Sequence, residues 1–199
     1  MQPFTILRGP AAPLLHDNIN TDILMPSHWG RDHPDRLGEG LLRDWRFDAA
    51  GAERPDFILN DPRYRAVRIL VAGRNFGCGS SRETAVWGLA GYGIRAVIAP
   101  SFGEIFRDNA FQNGILAIDQ PEATVQALAL RLAETPVLTI DLLRCVIEQE
   151  GAAPLAFAIA DDRRSALLEG LDETLLLRRF EADTAAFQRR DRLRRPWVY

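Results

Sequence analysis

The segment NFGCGSSRE, Asn75–Glu83, puts two glycines, a cysteine, two serines and an arginine at a change of pattern. Before it runs AVRILVAG (66–73), apolar and β-branched; after it runs TAVWGLAGYG (84–93), which has helical spacing. A strand-to-helix turn in a parallel sheet delivers its residues to the carboxyl edge of the strands, where open α/β sheets bind ligands. Gly77 and Gly79 admit dihedrals and close approaches that a Cβ forbids. A helix that starts at Ser80 or Ser81 offers N–H groups without intrahelical acceptors, and with the helix dipole these favour an anion. Arg82 adds a planar, bidentate grip suited to carboxylate. The spacing therefore supports an anion socket of backbone, two hydroxyls and a guanidinium; the competing reading is a helix cap with an incidental arginine.

Other chemistries fail on spacing. A dinucleotide GxGxxG counted from Gly77 needs glycine at position 82, where Arg82 stands. A GxSxG nucleophile elbow is absent. A P-loop needs its lysine, and every lysine-or-arginine position in this chain is arginine. Cys78 as a nucleophile needs a neighbouring imidazole. The three histidines, His16, His28 and His33, lie in the first third of the chain, so that pairing stands open beside a small packed thiol. A second polar cluster, DNINTDILMP (Asp17–Pro26), precedes a hydrophobic stretch. Asp17 and Asp22 read either as Asx-turn residues or as carboxylates that orient Arg82.

The elements that must position these residues fall into three zones. Residues 1–65 read as irregular, dense in Pro, Gly, Asp and Asn, and a loop of that length is either functional or a surface excursion. Residues 66–140 alternate: strand Ala66–Gly73, helix Ser80–Tyr92, strand Ile94–Ala99, helix Ser101–Gln112 opened by a serine cap, strand Ile115–Ile118, helix Pro121–Ala133. That alternation predicts βαβ units and a mainly parallel sheet, hence an α/β fold. Residues 141–199 change period, with VLTIDLL across their start and RCVIEQE and PLAFAIA within them as short, antiparallel additions. Helices over Asp161–Gly170 and Asp172–Arg192 close the chain, the last with an apolar stripe from Leu175, Leu176, Phe180 and Phe187.

Composition narrows the class. At 199 residues the chain suffices for one domain with a substantial core, and 47% apolar with 26% charged residues is ordinary for a globular protein. A net charge of −3 argues against a nucleic-acid binder, and the arginine-rich end QRRDRLRRPWVY reads as a solvated or partner-facing tail. Two cysteines form neither a zinc spacing nor a disulfide framework, and no apolar run reaches membrane-span length. A cytoplasmic location without membrane insertion is expected.

Taken together, GCGSSRE after a strand, DNINTD near the start, IAPSFGEIFRDNAFQNGIL, DWRFDAAGAERPDFILNDPRY and LLEGLDETL resemble, in order, the small-subunit family of 3-isopropylmalate dehydratases in the aconitase superfamily. The resemblance implies a swivelling β/β/α domain with a largely parallel central sheet. It implies a heterodimer with a large subunit that carries a 4Fe–4S cluster on three cysteines, more than this chain has. It implies a lyase of leucine biosynthesis, isomerising the dicarboxylate 2-isopropylmalate through isopropylmaleate. By similarity Ser80 is the base, as an alkoxide. Gly79, Ser81 and Arg82 hold a substrate carboxylate, and Thr21 and Asp22 match a TD pair in which the acid fixes the arginine. The loop Ser27–Gly38 sits where the family reads the substrate side chain, which brings in His28, Trp29 and Arg31. No metal ligand is assigned to this chain. One departure stands out: GSSRETAVW has Thr84 and Val86 where the family commonly has histidine and proline. A subunit for methylmalate, citraconate or a homoaconitate-like acid, and a carboxylate-binding module without turnover, are the alternatives.

Overall fold

The structure is a computed structural model that describes residues 1–178 and 180–199. Its strands are β1 (Ile6–Leu14), β2 (Ile69–Ala72), β3 (Ala96–Ala99), β4 (Leu116–Asp119), β5 (Val137–Asp141), β6 (Val146–Glu148) and β7 (Leu155–Ala156). Among the described residues these form one seven-stranded sheet in the order β4-β3-β2-β1-β5-β6-β7. The β4-β3-β2-β1 half is parallel and the β1-β5-β6-β7 half antiparallel. The parallel alternation and the antiparallel additions are as the periodicities predict.

The helices are α1 (Thr21–Leu24), α2 (Ser27–Asp32), α3 (Leu37–Gly40), α4 (Arg43–Arg46), α5 (Glu83–Tyr92), α6 (Glu104–Gln112), α7 (Glu122–Leu132), α8 (Asp161–Glu169), α9 (Glu173–Arg178) and α10 (Glu181–Arg194). Side chains that alternate along β2 and β3 go to opposite faces. Leu70, Ala72, Val97 and Ala99 meet α1–α6, while Ile69, Val71, Ala96 and Ile98 meet α7, α8 and Phe157. Every residue of β2 and β3 is buried, which is why these strands read as continuous apolar runs rather than as alternating ones. No helix of the described residues is long and apolar enough to cross a membrane.

Three expectations need correction. The first zone is not irregular, since β1 is the middle strand of the sheet. Pro10 and Pro13 remove two ladder donors, and β1 accommodates them by changing partners midway. Ile6–Pro10 pair with β5 on one side, and Ala11–Leu14 with β2 on the other. The rest of that zone is short helices and 3-10 turns, packed through Leu24, Met25, Leu41, Leu42, Leu59 and Tyr64.

Second, two helices begin later than expected. α5 starts at Glu83 with Arg82 as its N-cap residue and no side-chain cap bond, so neither Ser80 nor Ser81 caps it. α6 starts at Glu104, and the hydroxyl of Ser101 instead accepts the Asn75 N–H at 2.9 Å. Third, the segment Asp172–Arg192 is not one helix but α9 and α10; residue 179 and the side chain of Leu176 lie outside the described residues. The stripe does not face the core, because Leu175, Phe180 and Phe187 are exposed.

Candidate active site

Three chain segments leave the carboxyl ends of β1, β2 and β3 side by side and go on pairing beyond the sheet. The N–H of Gly77 donates to the Ile19 carbonyl at 2.7 Å, and that of Thr21 to Cys78 at 2.9 Å. On the other side Phe76 N–H donates to Ser101 at 3.0 Å and Gly103 N–H to Phe76 at 2.9 Å. Asp17 accepts from the backbone of Arg74 at 2.8 Å and from its guanidinium at 2.9 and 3.1 Å. The Arg74 side chain, and then its N–H, hold the Asp17 carboxyl below its ordinary range. Asp17 therefore braces the turn rather than orienting Arg82.

The turn needs its glycines in two ways. Gly77 has φ +72°, and a Cβ there would run into the ring of Phe106. Gly79 has φ +98° and lies over Asn20 and Thr21, whose Cβ and Oγ1 would be 3.4 and 3.6 Å from a Cβ. That close approach brings Ser80 to Thr21. The Thr21 hydroxyl donates to the Ser80 carbonyl at 2.9 Å, and the two hydroxyl oxygens are 3.4 Å apart. Thr21 itself is buried, at the start of α1, which is capped by Asn20 Oδ1 accepting the Ile23 N–H at 2.8 Å.

Arg82 turns from the same loop toward α1 and α2. Its Nη1 donates to Ser27 Oγ at 2.8 Å and pairs with Asp22 Oδ1, with 37% of its side chain exposed. Beside it lies an open hollow of about 400 Å³, whose walls include Arg31, Ser27, Thr84, Trp87 and Met25. Two guanidiniums, two hydroxyls and Glu83 thus share this lining with the apolar Met25 and Trp87.

The structure brings together Thr21, Asp22, Gly79, Ser80 and Arg82, and sets Arg31 at the shared hollow. Ser81 is exposed on the same turn. The α5 N–H groups that open toward the turn are those of Glu83 and Thr84, further along than a serine cap would put them. Of the loop candidates His28 is exposed, whereas Trp29 is buried and donates through Nε1 to the Arg36 carbonyl at 3.2 Å. Trp29 is an anchor of the loop, not a wall of the hollow. His16 and His33 make ring contacts with Trp45 and Trp29. Sequence reasoning missed Ser27 and Trp87. The signal for Ser27 was a hydroxyl directly after Pro26, at the start of the loop already singled out.

A larger hollow, about 1060 Å³, lies at the β4 edge between α6 and the start of α8. Its arginines each hold a carboxylate, Arg107 that of Asp119 and Arg163 that of Asp108 at 2.6 Å, and none of the sequence-predicted site residues lines it. Among the described residues no group of three His, Cys, Asp or Glu side chains is placed to hold a metal ion. Cys78 lies in the turn, while Cys145 follows β5, whose end at Asp141 pairs with the opposite end of β1. The two thiols therefore lie toward opposite ends of β1.

Known proteins resemble this chain over most of its length. The family model described as the aconitase C-terminal domain matches residues 1–123, which include β1, both polar clusters and α5. Over its full length the chain is 47% identical to the 3-isopropylmalate dehydratase small subunit of Cupriavidus necator, covering 99% of that protein. It is 44% identical, again over its full length and 99% of the relative, to the small subunit from Rhodospirillum centenum. Its fold is similar to the crystal structure of 3-isopropylmalate dehydratase from Methanocaldococcus jannaschii, with TM-score 0.64 and 25% identity, over 91% of this chain and 98% of that one.

Proposed function

This chain belongs to the aconitase C-terminal domain family, in its 3-isopropylmalate dehydratase small-subunit branch, and from that premise we propose how its residues serve the lyase reaction of leucine biosynthesis. The substrate is 2-isopropylmalate, which loses water to isopropylmaleate and regains it with the hydroxyl on the neighbouring carbon. Elimination requires one group to take a carbon-bound proton while hydroxide leaves next to it. Ser80 Oγ takes that proton, and returns it to the other carbon in the hydration half.

A free serine hydroxyl is a very poor base at neutral pH, so its alkoxide must be stabilised where it sits. The observation that carries the proposal is the cluster at Ser80. Thr21 Oγ1 lies 3.4 Å from Ser80 Oγ and becomes a donor to it by rotating its hydroxyl. Arg82 and the amino end of α5 add positive potential to the same turn. Ser81 and Arg82 bind one carboxylate, Gly79 lets the substrate approach the backbone, and Arg31 takes the second carboxylate across the hollow. Asp22 and Ser27 hold the Arg82 fork in place. Lewis-acid help for the departing hydroxide would come from a 4Fe–4S cluster carried by the large subunit. The assembly is cytoplasmic.

The test is anaerobic mixing of the chain with its large subunit, following isopropylmaleate by absorbance. Wild type is expected to turn over, and Ser80→Ala to lose activity by about 10³-fold or more with assembly intact. Near-normal turnover by Ser80→Ala removes the serine base. Thr84 at the wall of the hollow favours a second reading, a subunit tuned to a different malate derivative. A faster rate with methylmalate or a homoaconitate-like acid than with isopropylmalate, in the same complex, would decide for it.

A further inference from the structure

The DWRFD segment, Asp44–Asp48, takes no part in the socket, yet it carries a buried cation. Arg46, on α4, is only 8% exposed. Its Nη1 donates to the carbonyls of Leu41 at 3.2 Å and Glu39 at 3.4 Å. Its guanidinium lies 5.0 Å from the ring centre of Phe47 and 4.8 Å from that of Tyr92. The buried Nε has no acceptor. One turn earlier, Arg43 stacks 3.9 Å over Trp29 and 4.7 Å over Phe47.

Among the described residues no carboxylate pairs with either arginine. The nearest acids are engaged elsewhere: Glu39 is gripped by Arg36 at 2.8 and 2.5 Å, and Glu53 by Arg65 at 2.7 Å. Removing a guanidinium from water without a counter-ion is costly, and burial pulls Arg46 below the ordinary arginine range. Carbonyls and aromatic faces compensate part of that cost and leave the net charge in place. Next to both arginines, between α3, α4 and the end of α5, is a hollow of about 350 Å³ edged by Gly38, Glu39, Phe47 and Tyr92, the Glu39 carboxylate being held by Arg36.

We propose that this hollow binds a small oxyanion, a carboxylate or a phosphate, on Arg43 and Arg46, separately from the Ser80–Arg82 socket. The bound anion supplies the missing counter-charge and takes the free edges of two planar donors. It also holds Arg43 against Trp29, the buried residue of α2. Because α2 carries Ser27 and Arg31, occupancy stiffens the wall of the substrate hollow from behind. The site does not depend on the Ser80 mechanism.

The experiment is isothermal titration of the full chain with inorganic phosphate and, separately, with acetate, at ionic strength held constant with chloride. One saturable binding event is expected to survive Arg82→Gln and to weaken by at least about tenfold in Arg43→Gln, whose side chain is half-buried and dispensable to the core. Amide exchange over residues 27–40 should slow in the presence of the anion that binds. Tighter binding of phosphate assigns the site to phosphate, and tighter binding of acetate to carboxylate. Arg46→Leu, where it folds by circular dichroism, should lose the event entirely. Equal affinity in wild type and Arg43→Gln overturns the proposal. So does a wild type that binds neither anion while Arg43→Gln fails to join the large subunit, which would make the hollow a seat for a partner carboxylate.

Discussion

Arg82 owes its position to two oxygens on different helices, Asp22 on α1 and Ser27 on α2, both reached through Nη1. The other guanidinium edge remains for substrate, because the group carries five N–H donors in a fixed plane. Lysine keeps the charge but cannot hold two protein oxygens and a carboxylate in one plane. Arg82→Lys is therefore expected to lower kcat/KM by about 10²-fold, read in the reconstituted complex with assembly unchanged. The serines and the arginine were legible in the sequence because glycine, hydroxyl and guanidinium sat together where one periodicity gave way to another. Ser27 was not, since its contact with Arg82 spans 55 positions and depends on how α1 and α2 fold back. Trp29 misled for the opposite reason: an aromatic in a polar loop suggested a binding face, and it is the loop's own core.

At the scale of elements, the βα turn is shaped by exclusion and by bracing. Gly77→Ala forces a Cβ into Phe106 at a left-handed φ, and is expected to cost about 1–3 kcal/mol by denaturant midpoint. Asp17 braces the same turn electrostatically. Its folded pKa is lowered by Arg74, so its contribution is present above the unfolded value, near 4, and is lost as pH falls through the folded value. Asp17→Asn should therefore unfold earlier than wild type at pH 6, with the gap between the two closing on acidification below about pH 4. The strands β2 and β3 were legible as buried apolar runs, whereas β1 was not. Its sequence ILRGPAAPL has one glycine and two prolines in nine residues, which locally argues against a strand. Tertiary pairing on both flanks overrode that preference. The boundaries of α5 and α6 moved for a similar reason, because Ser80 and Ser101 were recruited by neighbouring segments instead of capping.

At the scale of the whole molecule, the core and the carboxyl-terminal helices behave as different kinds of structure. The two buried clusters that clasp the sheet end, among the described residues, at Leu167 and its partly buried neighbour Leu168. Beyond them α10 packs on the Pro196–Val198 turn that follows it, where Asp191 accepts from Arg195 at 2.8 Å and from the Tyr199 hydroxyl at 3.2 Å. Leu193 and Trp197 stand 88% and 78% exposed. Deleting residues 181–199 should leave the thermal midpoint of the isolated chain within about 3 °C of wild type, whereas Leu167→Ala should cost about 2–5 kcal/mol. Scanning calorimetry distinguishes the two. The order of the strands carries one more consequence. Ile6 finds its neighbour only at Asp141, and the amino group of Met1 donates to the Gly170 carbonyl at 3.0 Å. During synthesis the middle of the sheet must wait, one flank bare, until Val137–Asp141 has left the ribosome, and contacts so distant along the chain make for slow closure. The nascent polypeptide is thus most exposed to mispairing late in its translation, when chaperones have most to protect.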